Sequence, residues 1–312
     1  MPLSMLTLPE KYYVLVVDDE PDVLSVTHLS LRGLSYHGRE VEFLAAASGQ
    51  ETVQIIQAHP EVAVILLDVV METMSAGLDA CRAIRTDLGN RFVRILLHTG
   101  QPGAAPERET IDEYDIDGYL PKAELTTNRL YAAVRTALKA WEELCELERH
   151  RQYLTAMHDC VVALRSFEPL EMTLGRILDT AVILCPTPLA VLDLQTFDQQ
   201  GNPRRWFLYQ STHPDPGQAR RDATTVAARI AGNPAIQSQR KSGPVDNGFL
   251  VSLALHRELG YGWIFLDQAA PDHLTSQMLP LLAEHAANAL YASTAQSMLA
   301  SREGSIYDSI MT

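Results

Sequence analysis

Four short apolar segments of the chain end in polar residues that together suit one kind of chemical site. The segments end at Asp18-Asp19, Asp68, Thr99 and Lys122. Their β-branched, nearly uninterrupted composition is typical of strands that are buried on both faces of a parallel sheet. Because ligands bind such sheets at the carboxyl ends of the strands, we expect three carboxylates, a hydroxyl and an ammonium group to converge at one edge. That combination suits a divalent cation and a phosphoryl group.

Residues 11–142 alternate between strand and helix patterns, and they predict one α/β domain after a tail of residues 1–10. Ser48-Gly49-Gln50-Glu51 is a capping-box pattern that opens one of the helices. The alternation implies a five-stranded parallel sheet, doubly wound with helices on both faces. The predicted strands are 12–17, 41–46, 62–67, 93–98 and 118–120, and the predicted helices begin near residues 20, 48, 78 and 106.

A long helical pattern without Pro or Gly follows, from about residue 126 to residue 167, and residues 143–165 of it form a predicted linker. Its first apolar residues are spaced by four and three, as in a coiled-coil seam, and the phase slips near Leu147. Two interpretations remain open. The helix packs its first part on the first domain and its later part on the second, or it also pairs with a second copy to form a homodimer. The seam residues are Leu130, Val134, Ala137, Trp141 and Leu144.

Residues 166–295 change character and predict a second domain. The order of patterns is helix, hairpin, helix, hairpin, helix, which suggests an α+β module with an antiparallel sheet and helices on one face. Residues 296–312 carry little pattern and are predicted to be a C-terminal tail.

The composition of the chain limits the kinds of partner that we expect it to bind. The net charge of −14, from 39 acidic and 25 basic residues, argues against nucleic acid, because that affinity rests on clustered Lys and Arg. The four cysteines are widely spaced and form no zinc or disulfide pattern. No apolar stretch approaches the roughly 20 residues that a membrane span needs, and the amino terminus lacks signal-peptide regions. We therefore expect a cytoplasmic protein with neither a membrane nor a nucleic-acid partner.

The acidic residues indicate chemistry that depends on magnesium. A carboxylate attacks an activated phosphoryl group when a cation offsets the negative charge, and Mg²⁺ prefers oxygen ligands. Asp18, Asp19 and Asp68 supply three carboxylates, and the backbone carbonyl of Val70 is a further candidate ligand. Asp68 also offers the oxygen that would be phosphorylated.

Thr99 and Lys122 complete the predicted site. The hydroxyl of Thr99 suits a hydrogen bond to a phosphoryl oxygen, and the ammonium group of Lys122 suits neutralisation of another. A hydrolase that forms an aspartyl phosphate would need a second acid two residues after Asp68, where the chain has Val70. We therefore predict a phosphoryl acceptor and no output enzyme.

The segments VLVVDDE, ILLDVVM, ILLHTG and GYLPK, in this order, resemble the receiver domain of two-component response regulators. The resemblance implies a flavodoxin-like fold for residues 11–142 and a sensor histidine kinase or phosphotransfer protein as phosphoryl donor. It also implies that the aromatic switch residue turns inward when the switch hydroxyl is drawn to the phosphoryl group. The implied roles are phosphoacceptor for Asp68, Mg²⁺ binding for Asp18, Asp19, Asp68 and the Val70 carbonyl, switching for Thr99 and Tyr119, and phosphoryl binding for Lys122.

The chain departs from the family pattern in two loops. Met71-Glu72 stands where the family usually has Met-Pro, and Lys122-Ala123 stands where it usually has Lys-Pro. These changes keep the acidic residues but affect the loops that surround them.

The order of elements in residues 166–295 resembles GAF-like sensory modules. A receiver followed by such a module is similar to the first half of regulators that end in an HD-GYP cyclic-di-GMP phosphodiesterase. We therefore expect a response regulator whose GAF-like domain docks a downstream protein or binds a small ligand. The alternative is the regulatory half of such a phosphodiesterase, with its catalytic domain beyond this chain.

Overall fold

A computed structural model describes residues 10–100, 111, 113–124, 126–164, 169–197, 202–234, 236, 241–253 and 260–310, with side chains up to residue 291. The chain divides into two compact units, residues 1–150 and 151–312. Most of the predicted helix near residues 106–113 and most of the predicted tail 1–10 lie outside the described residues.

The first unit contains a six-stranded sheet in the order β2-β3-β1-β4-β5-β6. Strand β1 pairs in parallel with β3 and β4, β4 with β5, and β5 with β6. The predicted sheet of five parallel strands is therefore confirmed, and one further strand, β2, extends it to six. The strands are β1 Tyr12–Val17, β2 Ser35–Tyr36, β3 Arg39–Ala46, β4 Val62–Leu67, β5 Arg94–Thr99 and β6 Gly118–Pro121.

The added strand β2 is an edge strand of two residues that runs antiparallel to β3. A tight turn joins the two strands, in which His37 and Gly38 have φ angles of 50° and 77°. A strand of two residues is too short to show the alternation on which sequence patterns depend. The His37-Gly38 turn, rather than the strand itself, is the local feature by which the sequence could indicate β2.

The helices of the first unit lie against both faces of its sheet. Helices α1 Pro21–Ser30, α2 Gly49–Ala58 and α3 Ala76–Arg82 are described, and a π-helical turn, Ala83–Asp87, extends α3. The predicted capping box is confirmed, because the Ser48 side chain accepts a hydrogen bond from the Glu51 amide at 3.1 Å. The apolar residues of β1 and β4 alternate between two buried clusters, one on each face of the sheet.

Helix α4, Thr127–Ala163, is continuous across the boundary between the two units. Leu130, Val134, Ala137 and Trp141 are buried in the core of the first unit, as one of the two interpretations predicted. Beyond that boundary, the buried residues of the helix are Tyr153, Met157 and Cys160. Leu147, near which the predicted phase slip falls, and Leu154 are exposed.

Glu142 anchors α4 to the first strand of the sheet. The Tyr12 hydroxyl donates a hydrogen bond of 2.7 Å to Glu142 Oε1, and both residues are buried. His37 Nδ1 lies 3.0 Å from Glu142 Oε2, and Arg39 Nη1 donates to the Tyr12 hydroxyl at 3.3 Å. Burial and the hydrogen bond to Glu142 raise the pKa of Tyr12 to about 12, so the hydroxyl remains a donor at neutral pH.

The second unit contains a five-stranded antiparallel sheet in the order β8-β7-β11-β10-β9. Three helices of the described residues accompany it. Their order with the strands agrees with the predicted helix, hairpin, helix, hairpin, helix, except that an additional strand, β9, precedes the second hairpin and pairs with β10. The elements are α5 Leu170–Leu184, β7 Leu189–Phe197, β8 Pro203–Ser211, α6 Pro216–Ala231, β9 Gly243–Val245, β10 Gly248–Leu253, β11 Gly260–Asp267 and α7 His273–Ile310.

Helices cover both faces of this second sheet, which corrects the prediction of helices on one face. Helix α6 packs on the face that carries Leu189 and Val191. Helices α5 and α7 contact strands of the sheet as well, and Ala190 and Leu192, which point to the opposite face, are fully buried. The run of consecutive apolar residues at the start of β7 is the physical reason, since a strand covered on one face alternates with polar residues.

The structure also bears on the predicted C-terminal tail and on the cysteines of both units. The segment 296–312, predicted as a tail, continues α7 as helix through Ile310. Cys81, Cys145, Cys160 and Cys185 are free and buried. Burial raises the pKa of each thiol, to about 12 for Cys81 and Cys145 and about 11 for Cys185. Within the described part of the chain, no helix has the length and apolarity that spanning a membrane requires.

We predict that Glu142→Ala lowers the free energy of unfolding by about 1–3 kcal/mol, because it leaves the buried Tyr12 hydroxyl without its acceptor. The neighbouring Glu143 is the matched control. It is exposed and pairs with the exposed Lys139 at 3.6 Å, so Glu143→Ala should change stability by less than about 0.5 kcal/mol. Urea unfolding of the three proteins measures the difference. Equal effects of the two substitutions would contradict the anchoring role of Glu142.

Candidate functional site

The predicted polar residues meet at the carboxyl edge of the first sheet. Asp18 follows β1 and Asp68 follows β4, and both side chains are buried. Asp19 is exposed at the rim. One carboxylate oxygen from each of the three residues lies within 4.8 Å of the others. We call Asp18, Asp19 and Asp68 the acidic cluster.

Lys122 joins the two buried members of the acidic cluster. It follows β6, and its Nζ atom donates hydrogen bonds of 2.6 Å to Asp18 Oδ2 and 2.6 Å to Asp68 Oδ2. Burial alone would lower the pKa of Lys122, but these two hydrogen bonds raise it above its usual value. The group is therefore an ammonium ion at neutral pH. Burial raises the pKa of Asp68, and the contact with Lys122 opposes that shift.

The carboxylate of Asp68 is oriented by the backbone that follows it. Its Oδ1 atom accepts hydrogen bonds from the amides of Val69 at 2.7 Å and Val70 at 3.4 Å. The chain then returns close to its starting point, because the Gly77 amide donates to the Val69 carbonyl at 3.1 Å. A Cβ atom at Gly77 would stand 2.0 Å from the Asp68 carbonyl oxygen, so no larger residue fits there without moving the loop. We call residues 68–75 the phosphoacceptor loop, after the role that the sequence predicts for Asp68.

Asp18 has a second task at the start of α1. Its Oδ1 atom accepts a hydrogen bond of 3.1 Å from the Glu20 amide, which caps the first turn of that helix. Its own amide donates to the Ala46 carbonyl at 3.1 Å. Both contacts fix the direction of the carboxylate toward Lys122.

Thr99 and Tyr119 lie on the neighbouring strands β5 and β6. Thr99 is fully buried at the end of β5, and its register partner is Pro121. Tyr119 is half-buried, pairs with Leu97 in register, and packs against the apolar cluster on one face of the sheet. The structure thus places both residues on the strands that lead to the site, and their switching roles remain predictions.

His98 is a buried residue of this region that sequence reasoning did not assign to the site. Burial, together with the nearby charge of Lys122, lowers the pKa of His98 to about 4. Its side chain lines a cleft of about 370 Å³ with Lys122 and with residues of α1 and α4. The position of His98 directly before Thr99 was the available signal, but the alternation of a strand that is buried on both faces does not reveal which side chains face a cleft.

The acidic cluster fits a divalent cation of the magnesium type. Hard oxygen ligands suit Mg²⁺, and two ligands on opposite sides of that ion stand roughly 4 Å apart. The three carboxylates, which lie within 4.8 Å of one another, therefore match the ion after small adjustments. Whether the Val70 carbonyl is a further ligand stays a prediction.

The geometry agrees with the comparison against protein families. Residues 14–135 match the family model described as response regulator receiver domain. This segment is a receiver domain, and the predicted flavodoxin-like parallel sheet is thereby supported. The match ends before the second unit begins, and it does not test the GAF-like prediction.

Known proteins also resemble parts of the chain. A 3'3'-cGAMP-specific phosphodiesterase 2 of Vibrio cholerae is 38% identical over 162 residues, which are 52% of this chain and 31% of that protein. The chain thus spans about a third of the length of this relative. A receiver domain protein from Clostridium thermocellum matches 43% of the chain and 98% of that structure at 24% identity, with a TM-score of 0.36. The receiver domain of an HD domain-containing protein from Pseudomonas fluorescens matches 45% of this chain and 96% of that structure at 21% identity, with a TM-score of 0.38.

We predict that His98 makes the protein sensitive to acid. Its pKa of about 4 in the folded state lies below the unfolded value of roughly 6.5, so the stability that it contributes is present above pH 6.5 and is lost as pH falls toward 4. Relative to His98→Leu, the wild-type protein should lose about 2 kcal/mol of unfolding free energy between pH 7 and pH 5. Urea unfolding of both proteins at each pH measures this loss. Parallel pH profiles would show that His98 titrates normally.

Proposed function

We propose that the chain is the response regulator of a two-component phosphorelay that accepts a phosphoryl group on Asp68. One observation carries the proposal: the Lys122 ammonium group lies 2.6 Å from both Asp18 and Asp68 at the carboxyl edge of a parallel sheet. Residues from three strand ends thereby form one charged cluster. An ordinary surface ion pair would not require two buried carboxylates.

The proposed reaction transfers a phosphoryl group from a phosphohistidine donor. A carboxylate oxygen of Asp68 attacks phosphorus, the O–P bond forms as the N–P bond breaks, and the electron pair returns to the imidazole nitrogen. Asp18, Asp19, Asp68 and the Val70 carbonyl would hold Mg²⁺, and the bound ion would offset the negative charge of the phosphoryl group. The Val69 and Val70 amides hold Asp68 in a fixed direction. Lys122, which is already at Asp68, neutralises a phosphoryl oxygen of the product.

The proposed donor is a histidine kinase or a phosphotransfer protein that docks on α1. Val26 and Leu29 of this helix are 63% and 69% exposed, and their spacing of three residues makes them neighbours on the helix surface. Helix α1 also lines the cleft that reaches His98 and Lys122. A donor on this surface would therefore bring its histidine to the edge of the sheet that carries Asp68.

The proposed output path runs through Thr99 and Tyr119 to α4. The buried Thr99 hydroxyl is drawn to the phosphoryl group, and Tyr119 turns toward the space that Thr99 leaves. Strand β6, which carries Tyr119, is followed by a 3₁₀ turn, Lys122–Glu124, and α4 begins at Thr127. We propose that the second unit is a GAF-like module that receives this change and docks a protein or binds a small ligand. A cytoplasmic location stays a prediction.

A second candidate function is regulation of a cyclic-dinucleotide phosphodiesterase. The specific observation in its favour is the 38% identity with a phosphodiesterase named for 3'3'-cGAMP. The matched segment includes 31% of that protein. The reading frame downstream of Thr312 tests this candidate: an HD-GYP sequence there supports it, and an unrelated sequence or a stop codon contradicts it.

We predict that Asp68→Asn abolishes phosphoryl labelling by acetyl phosphate and Mg²⁺, because the amide keeps the shape of the side chain but is not a nucleophile. Asp79 of α3, an exposed aspartate paired with Arg82, is the control, and Asp79→Asn should label like the wild type. Intact-protein mass spectrometry measures the adduct. Undiminished labelling of Asp68→Asn would refute the assignment of Asp68.

We also predict that two copies pair through α4. Leu147 and Leu154 are seven residues apart and 65% and 64% exposed, and this spacing returns both to one side of a helix, as in paired helices. Light scattering should give a dimer for the wild type and a monomer for Leu147→Glu with Leu154→Glu. Thr155→Glu adds a charge next to Leu154 but off the side of the helix that carries the two leucines, and it should leave the dimer intact. A monomeric wild type, with and without beryllofluoride, would sink the prediction.

A further inference from the structure

Glu72 forms a contact that connects the phosphoacceptor loop to α2. Its Oε1 and Oε2 atoms accept hydrogen bonds from the Gly49 amide at 3.0 Å and 3.3 Å. Gly49 is the first residue of α2, and its amide is one of the helix-end donors that have no partner within the helix. The carboxylate also lies at the positive end of the helix dipole. The contact therefore combines a charge-assisted hydrogen bond with a favourable electrostatic field.

At Gly49 the backbone of α2 also comes very close to the backbone at Ala76. A Cβ atom at Gly49 would stand 2.7 Å from the Ala76 carbonyl oxygen and 3.4 Å from Glu72 Oε1. Only the absence of that Cβ atom lets α2 begin so close to the end of the loop. The two glycines at positions 49 and 77 thus permit the loop to pack tightly on both sides.

The contact of Glu72 is linked to Asp68 by a short series of backbone bonds. Glu72 follows Val70 by two residues, and the Val70 amide is one of the two donors to Asp68 Oδ1. Within the loop, the Met71 amide donates to the Thr73 carbonyl at 3.1 Å. Gly49, which binds Glu72, lies three residues after Ala46, and the Ala46 carbonyl accepts a hydrogen bond from the Asp18 amide. The segment from Ala46 to Gly49 therefore contacts both a member of the acidic cluster and the phosphoacceptor loop.

We infer that Glu72 is a positioning residue that sets the phosphoacceptor loop for cation binding and phosphoryl acceptance, an inference that rests on the proposed function. The carboxylate fixes the loop from outside the site, four residues after Asp68. Fixing the loop holds the Val70 amide toward Asp68 and keeps the Val70 carbonyl in one place. Glu72 stands where the family usually has proline, so one restraint on the loop is replaced by another. Proline restricts the loop through its ring, whereas Glu72 restricts it through a contact.

The test compares Glu72→Ala, Glu72→Gln and Glu51→Ala. Glu51 is the matched control, because its carboxylate also serves the start of α2: it accepts at 2.7 Å from the amide of Ala47, which lies on the other side of that helix start from the loop in sequence. Both alanine variants should lower the melting temperature to a similar extent. Only Glu72→Ala should weaken Mg²⁺ binding in isothermal titration calorimetry, by roughly threefold to tenfold, less than the loss seen for groups that hold a metal ligand directly.

Two further measurements separate positioning from general stability. Amide hydrogen exchange of residues 69–76 should be faster in Glu72→Ala than in the wild type or Glu51→Ala. Glu72→Gln keeps an oxygen acceptor for the Gly49 amide, so it should recover most of the Mg²⁺ affinity and of the acetyl phosphate labelling rate.

The outcomes distinguish this inference from the proposed function. If the wild type labels on Asp68 while Glu72→Ala shows unchanged Mg²⁺ affinity and loop exchange, the positioning role is overturned and the proposed function stands. If Glu51→Ala weakens Mg²⁺ binding as much as Glu72→Ala, the effect belongs to α2 and the inference is again overturned. A wild type that neither binds Mg²⁺ nor accepts phosphoryl overturns both.

Discussion

The ion pairs of Lys122 with Asp18 and Asp68 are the interactions on which the first unit depends. Two carboxylates held out of water repel each other, and taking each from solvent costs several kcal/mol. A single ammonium group offsets this only in part, because three carboxylates of the acidic cluster stand against it. The remaining negative charge is what a divalent cation would balance. Since the charged groups follow separate strands, the parallel sheet must be formed before they can meet.

The sequence was sufficient to predict the charged residues of this site, because each follows an apolar run and strand ends share one edge. It was also sufficient for the parallel sheet and for the continuity of α4. It was not sufficient for β2, whose two residues carry no period, or for the helices on both faces of the second sheet. There, the alternation of Leu192, Leu194 and Thr196 with Asp193, Gln195 and Phe197 suggests a strand covered on one face, whereas the preceding residues Leu189–Leu192 are consecutive and apolar.

The contacts around the site were less predictable than its members. Glu72 reaches Gly49 across 23 positions, and no local pattern signals a bond between a loop and the start of a distant helix. His98 is adjacent to Thr99 in sequence, yet its burial and its place in a cleft depend on how α1 and α4 pack. Gly77 is readable only as a small residue, and the reason for it becomes clear from the approach of the Asp68 carbonyl. Such features arise from tertiary packing, which individual segments do not encode.

The four enclosed thiols affect how this molecule can be studied in solution. Because burial disfavours their thiolates, Cys81, Cys145, Cys160 and Cys185 present little of the nucleophilic form that maleimides and nitroxide reagents attack. A cysteine introduced on an open surface would therefore outcompete the native four, and spin labels or fluorophores could be attached without first removing them. Interprobe distances could then be recorded on an otherwise unmodified chain.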